Sequence, residues 1–172
     1  MTSIAIFFLL LVFQAKSQTT MKNTNNRIIE KTITVNCSTD TVWWKWTTHE
    51  GLLTFFGADN KVNLEIGGEY EIYFLLDNPI GERGGEGNKV LSYIPQKMLS
   101  FTWNAPPQYP EIRNHKHKTW VVVEFNHISK DKTQVKIRHL GWLTGEKWDT
   151  VYNYFDEAWG TVLDWLEKSC NE

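Results

Sequence analysis

The sequence specifies an α+β domain in which an antiparallel sheet is covered on one face by a long terminal helix. Three observations predict it. Apolar and polar side chains alternate over much of residues 28–140, one apolar stripe at three-and-four spacing runs from Thr144 to Ser169, and two short helical segments follow the first strand. With 172 residues, 41% of them hydrophobic and 14% aromatic, the chain is sized for a single domain around one core.

The chain opens on an apolar run, Ile4 to Phe13, followed by Ala15-Lys16-Ser17, a small-x-small pattern of the kind signal peptidase reads. Residues 1–17 are therefore expected to be an export signal, and the protein to be periplasmic or secreted. The run falls short of the roughly 20 apolar residues of a membrane-spanning helix. No Cys follows it closely enough to carry a lipid, so no stable membrane insertion is expected. The competing reading is a start at Met21, since no Lys or Arg precedes the apolar run; that product would be cytoplasmic. Residues 18–27 are polar and read as a flexible lead, and 28–172 as the domain.

Ile28 to Val35 carries β-branched residues at alternate places and reads as the first strand. Ser38 then supplies an N-cap, Asp40 an acid in the first helical turn, and Val42 the start of an apolar face. At 100° per residue Val42, Trp43 and Trp46 share one side, while Trp44 points almost the opposite way. Thr47-Thr48 caps a second short helix with Leu52, Phe55 and Phe56 on its apolar face, ending at Gly57. From Val62 the period becomes two: Val62, Leu64 and Ile66 alternate, Gly67-Gly68 turns the chain, and Tyr70, Ile72 and Phe74 alternate again.

Residues 77–87 carry turn chemistry throughout and read as a flexible loop, a candidate lid. Two strands flank Pro95-Gln96, residues 104–118 read as a Pro- and His-rich loop, and two long strands are joined by Ser129-Lys130-Asp131-Lys132. The terminal helix places Trp148, Val151, Tyr152, Phe155, Trp159, Val162, Leu163 and Leu166 on one stripe.

The formal net charge is -2 and the Lys and Arg residues are scattered, which excludes the basic stripe of a nucleic-acid binder. His115 and His117 lack the further ligands a metal site needs and read as part of a solvated loop. The glycine-rich segment 81–87 lies between strands, lacks G-K-[ST] and carries two acids, so it is no phosphate loop. No nucleophile stands beside a recognisable base, and no cofactor is implied. Cys37 and Cys170 are the two cysteines, either a disulfide in an exported chain or two inert thiols.

At V-W-W-K-W-T-T-H-E-G-L, G-G-E-Y-E-I-Y-F, G-E-G-N-K-V-L-S-Y-I-P-Q-K-M-L-S-F-T-W, T-Q-V-K-I-R-H-L-G-W and Y-F-D-E-A-W-G-T-V-L-D-W-L, the chain resembles the SRPBCC (START-like, birch-pollen-allergen-like) superfamily. Within it, the branch named after the activator of heat-shock protein 90 ATPase is the most similar. The resemblance runs from about Ile28 to the end. It implies a helix-grip fold: a curved antiparallel sheet of about seven strands wrapped round the C-terminal helix, two short helices forming a V beneath the helix end, and a cavity between that often takes hydrophobic small molecules. That fold also brings Cys37 near Cys170, where a bridge would contribute roughly 4 kcal/mol if the Cα atoms come within about 7 Å.

Large aromatics facing one another across sheet and helix give a partly independent reason for a cavity, against the alternative of a solid core. The lining expected is Phe74, Phe101, Trp103, Phe125, His139, Tyr152, Phe155 and Trp159. His139 shares a strand face with Val135 and Ile137, and reads either as the cavity's ionisable group or as a hydrogen-bonded core histidine. Trp43 and Trp46 belong to the V, and Trp44 lies outside, at a partner site or simply exposed.

Three functions follow in order. The first is non-catalytic binding of an apolar or aromatic small molecule by a monomer or weak homodimer. The second is a protein-interaction domain like the chaperone ATPase activators, and the third a cyclase or hydrolase using His139.

Overall fold

The computed structural model describes residues 27–171. The expected export signal over 1–17, and all but the last residue of the lead over 18–27, lie outside the described residues. Among the described residues, no helix is long and apolar enough to cross a membrane.

Strand β1 (Ile29–Val35) is followed by helix α1 (Thr39–Thr47) and helix α2 (His49–Leu53). The caps are those the sequence names: Ser38 Oγ accepts from the Thr41 amide at 3.1 Å, and Thr48 Oγ1 from the Gly51 amide at 3.0 Å. Gly57, at φ +90°, ends the segment where a Cβ would stand 2.6 Å from Ile72. Strands β2 (Asp59–Val62) and β3 (Tyr70–Tyr73) form a hairpin, and β4 (Val90–Ile94), β5 (Met98–Trp103), β6 (Thr119–Ser129) and β7 (Lys132–Leu140) complete the strands. A short helix α3 (Pro110–Arg113) precedes β6, and α4 (Glu146–Ser169) closes the chain.

The strands are seven, but they do not form one continuous ladder. Five pair antiparallel in the order β1-β7-β6-β5-β4, and β2-β3 stands as a two-stranded sheet joined to the rest through the bridges Glu69 to Lys89 and Tyr73 to Gly84. Period-two alternation also placed the second strand too late. Leu64 and Ile66 lie in turns closed by Glu65 N to Asn63 O and Gly68 N to Glu65 O, and Ile66 is 77% exposed. These side chains alternate without a partner strand to enforce it. The loop over 104–118 contains α3, begun by Pro110, whose fixed φ suits a first helical turn.

Register explains where the core sits. Ile29, His139, Val121, Phe101 and Val90 are successive cross-strand partners through β1, β7, β6, β5 and β4, and all five are buried. The next row, Lys31, Ile137, Val123 and Leu99, is apolar except at the β1 edge. There Lys31 Nζ reaches Asp156 of α4 at 2.9 Å. Helix α4 buries Trp148, Val151, Phe155, Trp159, Val162, Leu163 and Leu166. Cys37 and Cys170 are bonded, with Cα atoms 5.4 Å apart, tying the entry of α1 to the end of α4.

The tryptophan triplet divides by helix geometry. Trp46 is fully buried, with its ring centroid 5.2 Å from Phe55 and 5.7 Å from Phe56. Trp43 is half-buried, edge-on to Phe125 at 5.7 Å, and Trp44 is 42% exposed.

Candidate functional site

The space directly between sheet and α4 is filled. Phe101 stacks on Tyr70 with centroids 4.1 Å apart, Phe125 lies under Trp43 and Trp46, and behind Trp103 only about 10 Å³ remains. The open space lies to one side, a groove of about 530 Å³ between α4, the β3–β4 loop and the segment after β5. Its floor is a run of touching rings: Phe56 against Trp103 at 5.8 Å, Trp103 against Trp159 at 5.5 Å, and Trp159 against Phe155 at 6.4 Å. Phe74 leans over Phe56 at 5.7 Å and remains 38% exposed at the mouth.

Of the eight lining residues expected from the sequence, Phe74, Trp103, Phe155 and Trp159 stand together in this groove. Phe101, Phe125 and His139 are core residues, because the register points them into the packed centre. Tyr152 lies outside the groove, against Trp142 with ring centroids 5.2 Å apart. Its ring sits under the Arg27 guanidinium at 3.9 Å, and its hydroxyl donates to the Ile28 carbonyl at 3.3 Å.

Alternation missed a second α4 stripe, Tyr154, Ala158, Thr161 and Trp165, which faces the groove beside the core stripe. Its three-and-four spacing was readable, but two of its four members are polar or small, which hides it from a search for apolar faces.

His139 anchors the indole of one groove tryptophan directly and, through Thr119, the backbone of another. The Trp159 indole N–H donates to Nδ1 at 3.0 Å, and an indole nitrogen can only donate, so the proton of the neutral ring must sit on Nε2. Nε2 in turn faces Thr119 Oγ1 at 2.7 Å, and that hydroxyl donates to the Trp103 carbonyl at 2.7 Å. Both nitrogens are engaged within the protein, and no lone pair is left to offer a substrate. Burial holds the His139 pKa well below the ordinary histidine range.

A folded-state pKa below the unfolded value near 6.5 means that the unfolded chain takes up a proton the folded chain refuses. Stability should therefore lose up to about 1.4 kcal/mol per pH unit as pH falls below that value. His139→Gln can accept from Trp159 and donate to Thr119, so it should remove this slope. Denaturant unfolding between pH 5 and 8 checks it; equal slopes in both proteins would refute the assignment.

The groove's outer wall is also built. Segment 81–87, expected to be flexible, is pinned by Arg113, whose five N–H groups all donate. Nε and Nη2 reach the Gly81 carbonyl at 3.1 and 2.7 Å, Nη1 the Gly84 and Ala105 carbonyls at 2.7 Å each, and Nη2 also Glu86 Oε2 at 2.9 Å. The Glu86 carboxylate further accepts from the amides of Gly81, Arg83 and Gly84. Gly84 itself, at φ +143°, approaches β3 so closely that a Cβ would lie 2.6 Å from the Ile72 carbonyl. No group of three or more His, Cys, Asp or Glu among the described residues could hold a metal ion.

Comparison with known proteins places this architecture. A family model described as activator of Hsp90 ATPase homolog 1-like protein matches residues 36–170. No curated protein matches the chain by sequence. Among solved structures, protein MLL2253 of Mesorhizobium loti is similar at a TM-score of 0.66 and 17% identity, covering 84% of this chain and 97% of that one. The Aha1 dimer of Colwellia psychrerythraea matches at 0.61 and 17%, covering 84% and 96%. PFC0360w, an HSP90 activator from Plasmodium falciparum, matches at 0.58 and 16%, covering 77% and 86%. At these identities the structural likeness speaks to the fold, while the family model, spanning most of the chain, assigns membership. The chain belongs to the activator of Hsp90 ATPase homolog 1-like family.

Proposed function

We propose that this protein binds an apolar or aromatic small molecule, without turnover, in the groove between α4 and the β3–β4 loop. The observation that carries the reading is the continuous aromatic floor of Phe56, Trp103, Trp159 and Phe155 in a space of about 530 Å³. That volume falls within the range of small-molecule sites. Apolar area supplies the drive, on the order of 25 cal/mol per Å² before the costs of association.

The test is titration with Nile red, a neutral apolar dye, followed by its emission and by quenching of tryptophan fluorescence. Ala158 is half-buried on the groove face of α4, and Ala158→Trp should fill the space and weaken binding at least tenfold. Binding unchanged in that variant would sink the reading.

Export is proposed alongside it. The Cys37–Cys170 bond supports an oxidising compartment, since such bonds are rare among cytosolic proteins. A monomer or weak homodimer is proposed, the latter supported by the dimeric Colwellia relative. The second reading, a protein-interaction domain acting on a chaperone ATPase, is favoured by the description of the family and of the Plasmodium neighbour. Stimulation of a purified Hsp90 ATPase by this chain would be its signature.

A further inference from the structure

The groove carries a charge signature as well as an apolar one. Eighteen residues line it, and no Lys, Arg or His is among them. Its single carboxylate is Glu157, exposed on α4 between Tyr154 and Thr161, and no ion pair joins Glu157 to another described residue. Tyr154 stays neutral, its pKa raised by burial and by the neighbouring Tyr109. Arg113, behind the wall, has every N–H committed and its charge opposed by Glu86.

Resting on the groove reading, we infer that the ligand is a cationic amphiphile: an apolar or aromatic body seated on the indole floor, ending in a protonated amine or quaternary ammonium held at Glu157. Two attractions favour that end group. Trp103, Trp159 and Trp165 line the groove with indoles, the ring type that attracts a cation most, and Glu157 adds a carboxylate at the rim. An anionic amphiphile of the same length meets the opposite field. Its carboxylate would leave water for a site with no cationic partner and one like charge.

The experiment uses three ligands with a common phenylpentyl body: 5-phenylpentyltrimethylammonium, 5-phenylpentanol and 6-phenylhexanoate. Calorimetric titration should give the ammonium a Kd about tenfold below that of the alcohol, with the carboxylate weakest. In Glu157→Gln the ratio of ammonium to alcohol Kd should collapse to within about twofold, and in Glu157→Lys the carboxylate should become tighter than the ammonium. Position 157 is exposed, so both variants should fold.

If the alcohol binds and the ammonium does no better, or its advantage survives Glu157→Gln, the charge assignment is overturned while the groove reading stands. If none of the three binds, the groove reading fails and the inference with it.

Discussion

Replacing both cysteines, Cys37→Ser with Cys170→Ser, should lower the unfolding free energy by about 4 to 5 kcal/mol relative to the oxidised protein. The bond spans 133 residues of sequence, and closing so long a loop removes a large part of the conformational freedom of the unfolded chain. The bridge joins the loop after β1 to the C-terminus of α4, so severing it frees the last turn of the helix that packs Trp159, Val162, Leu163 and Leu166 into the core. Two further contacts hold that corner: Thr133 Oγ1 donates to the Cys37 carbonyl at 2.9 Å, and Asn36 Nδ2 to Asn171 Oδ1 at 3.1 Å. These should keep the native fold of the double variant near wild type while its stability drops.

Urea unfolding of oxidised, reduced and double-serine proteins checks this. The reduced and serine forms should coincide, and their m-values should exceed that of the oxidised form, because an uncrosslinked chain exposes more surface on unfolding. A loss below about 1 kcal/mol would show that the bridge constrains little in the unfolded state.

The elements legible in the sequence are those whose neighbours are fixed by burial. Strands β1, β6 and β7 each bury alternate residues, and α4 buries one stripe, so the period of the sequence is the period of the structure. The placement of Val42 and Trp46 inward and Trp44 outward follows from the same arithmetic. The Leu64–Ile66 alternation failed because no strand lies beside it.

The groove was half legible. Aromatic content named Phe74, Trp103, Phe155 and Trp159, but which rings remain beside open space depends on how far the core fills, and Phe101, Phe125 and His139 were consumed by packing. The wall was not legible at all. Glu86 sits in a glycine-rich turn and Arg113 in a four-residue helix 27 positions later, a spacing that no local pattern reports.

That wall gives the second large effect: Arg113→Ala should cost about 3 to 5 kcal/mol, the usual consequence of removing one partner of a buried ion pair. The side chains of Arg113 and Glu86 are 8% and 14% exposed, so little water reaches the pair. Truncation strands the Gly84 and Ala105 carbonyls, leaves the exposed Gly81 carbonyl to water, and leaves the Glu86 carboxylate on its backbone amides without its countercharge. Arg113→Lys should recover only part of the loss, remaining about 2 kcal/mol below wild type. One ammonium has three donors on a point, whereas the guanidinium spreads five in a plane toward four acceptors on two segments.

The local signature separates this from a general weakening. Amide exchange at Gly81, Arg83 and Gly84 should quicken in Arg113→Lys well before global unfolding, because Glu86 then holds those amides without its own anchor. Phe74 N and Leu75 N both bond to the Arg83 carbonyl, so the loosened turn should carry the groove mouth with it and weaken Nile red binding in step. Wild-type exchange at those amides in Arg113→Lys would mean that Glu86 alone organises the loop, and the guanidinium would then be a passenger in the wall.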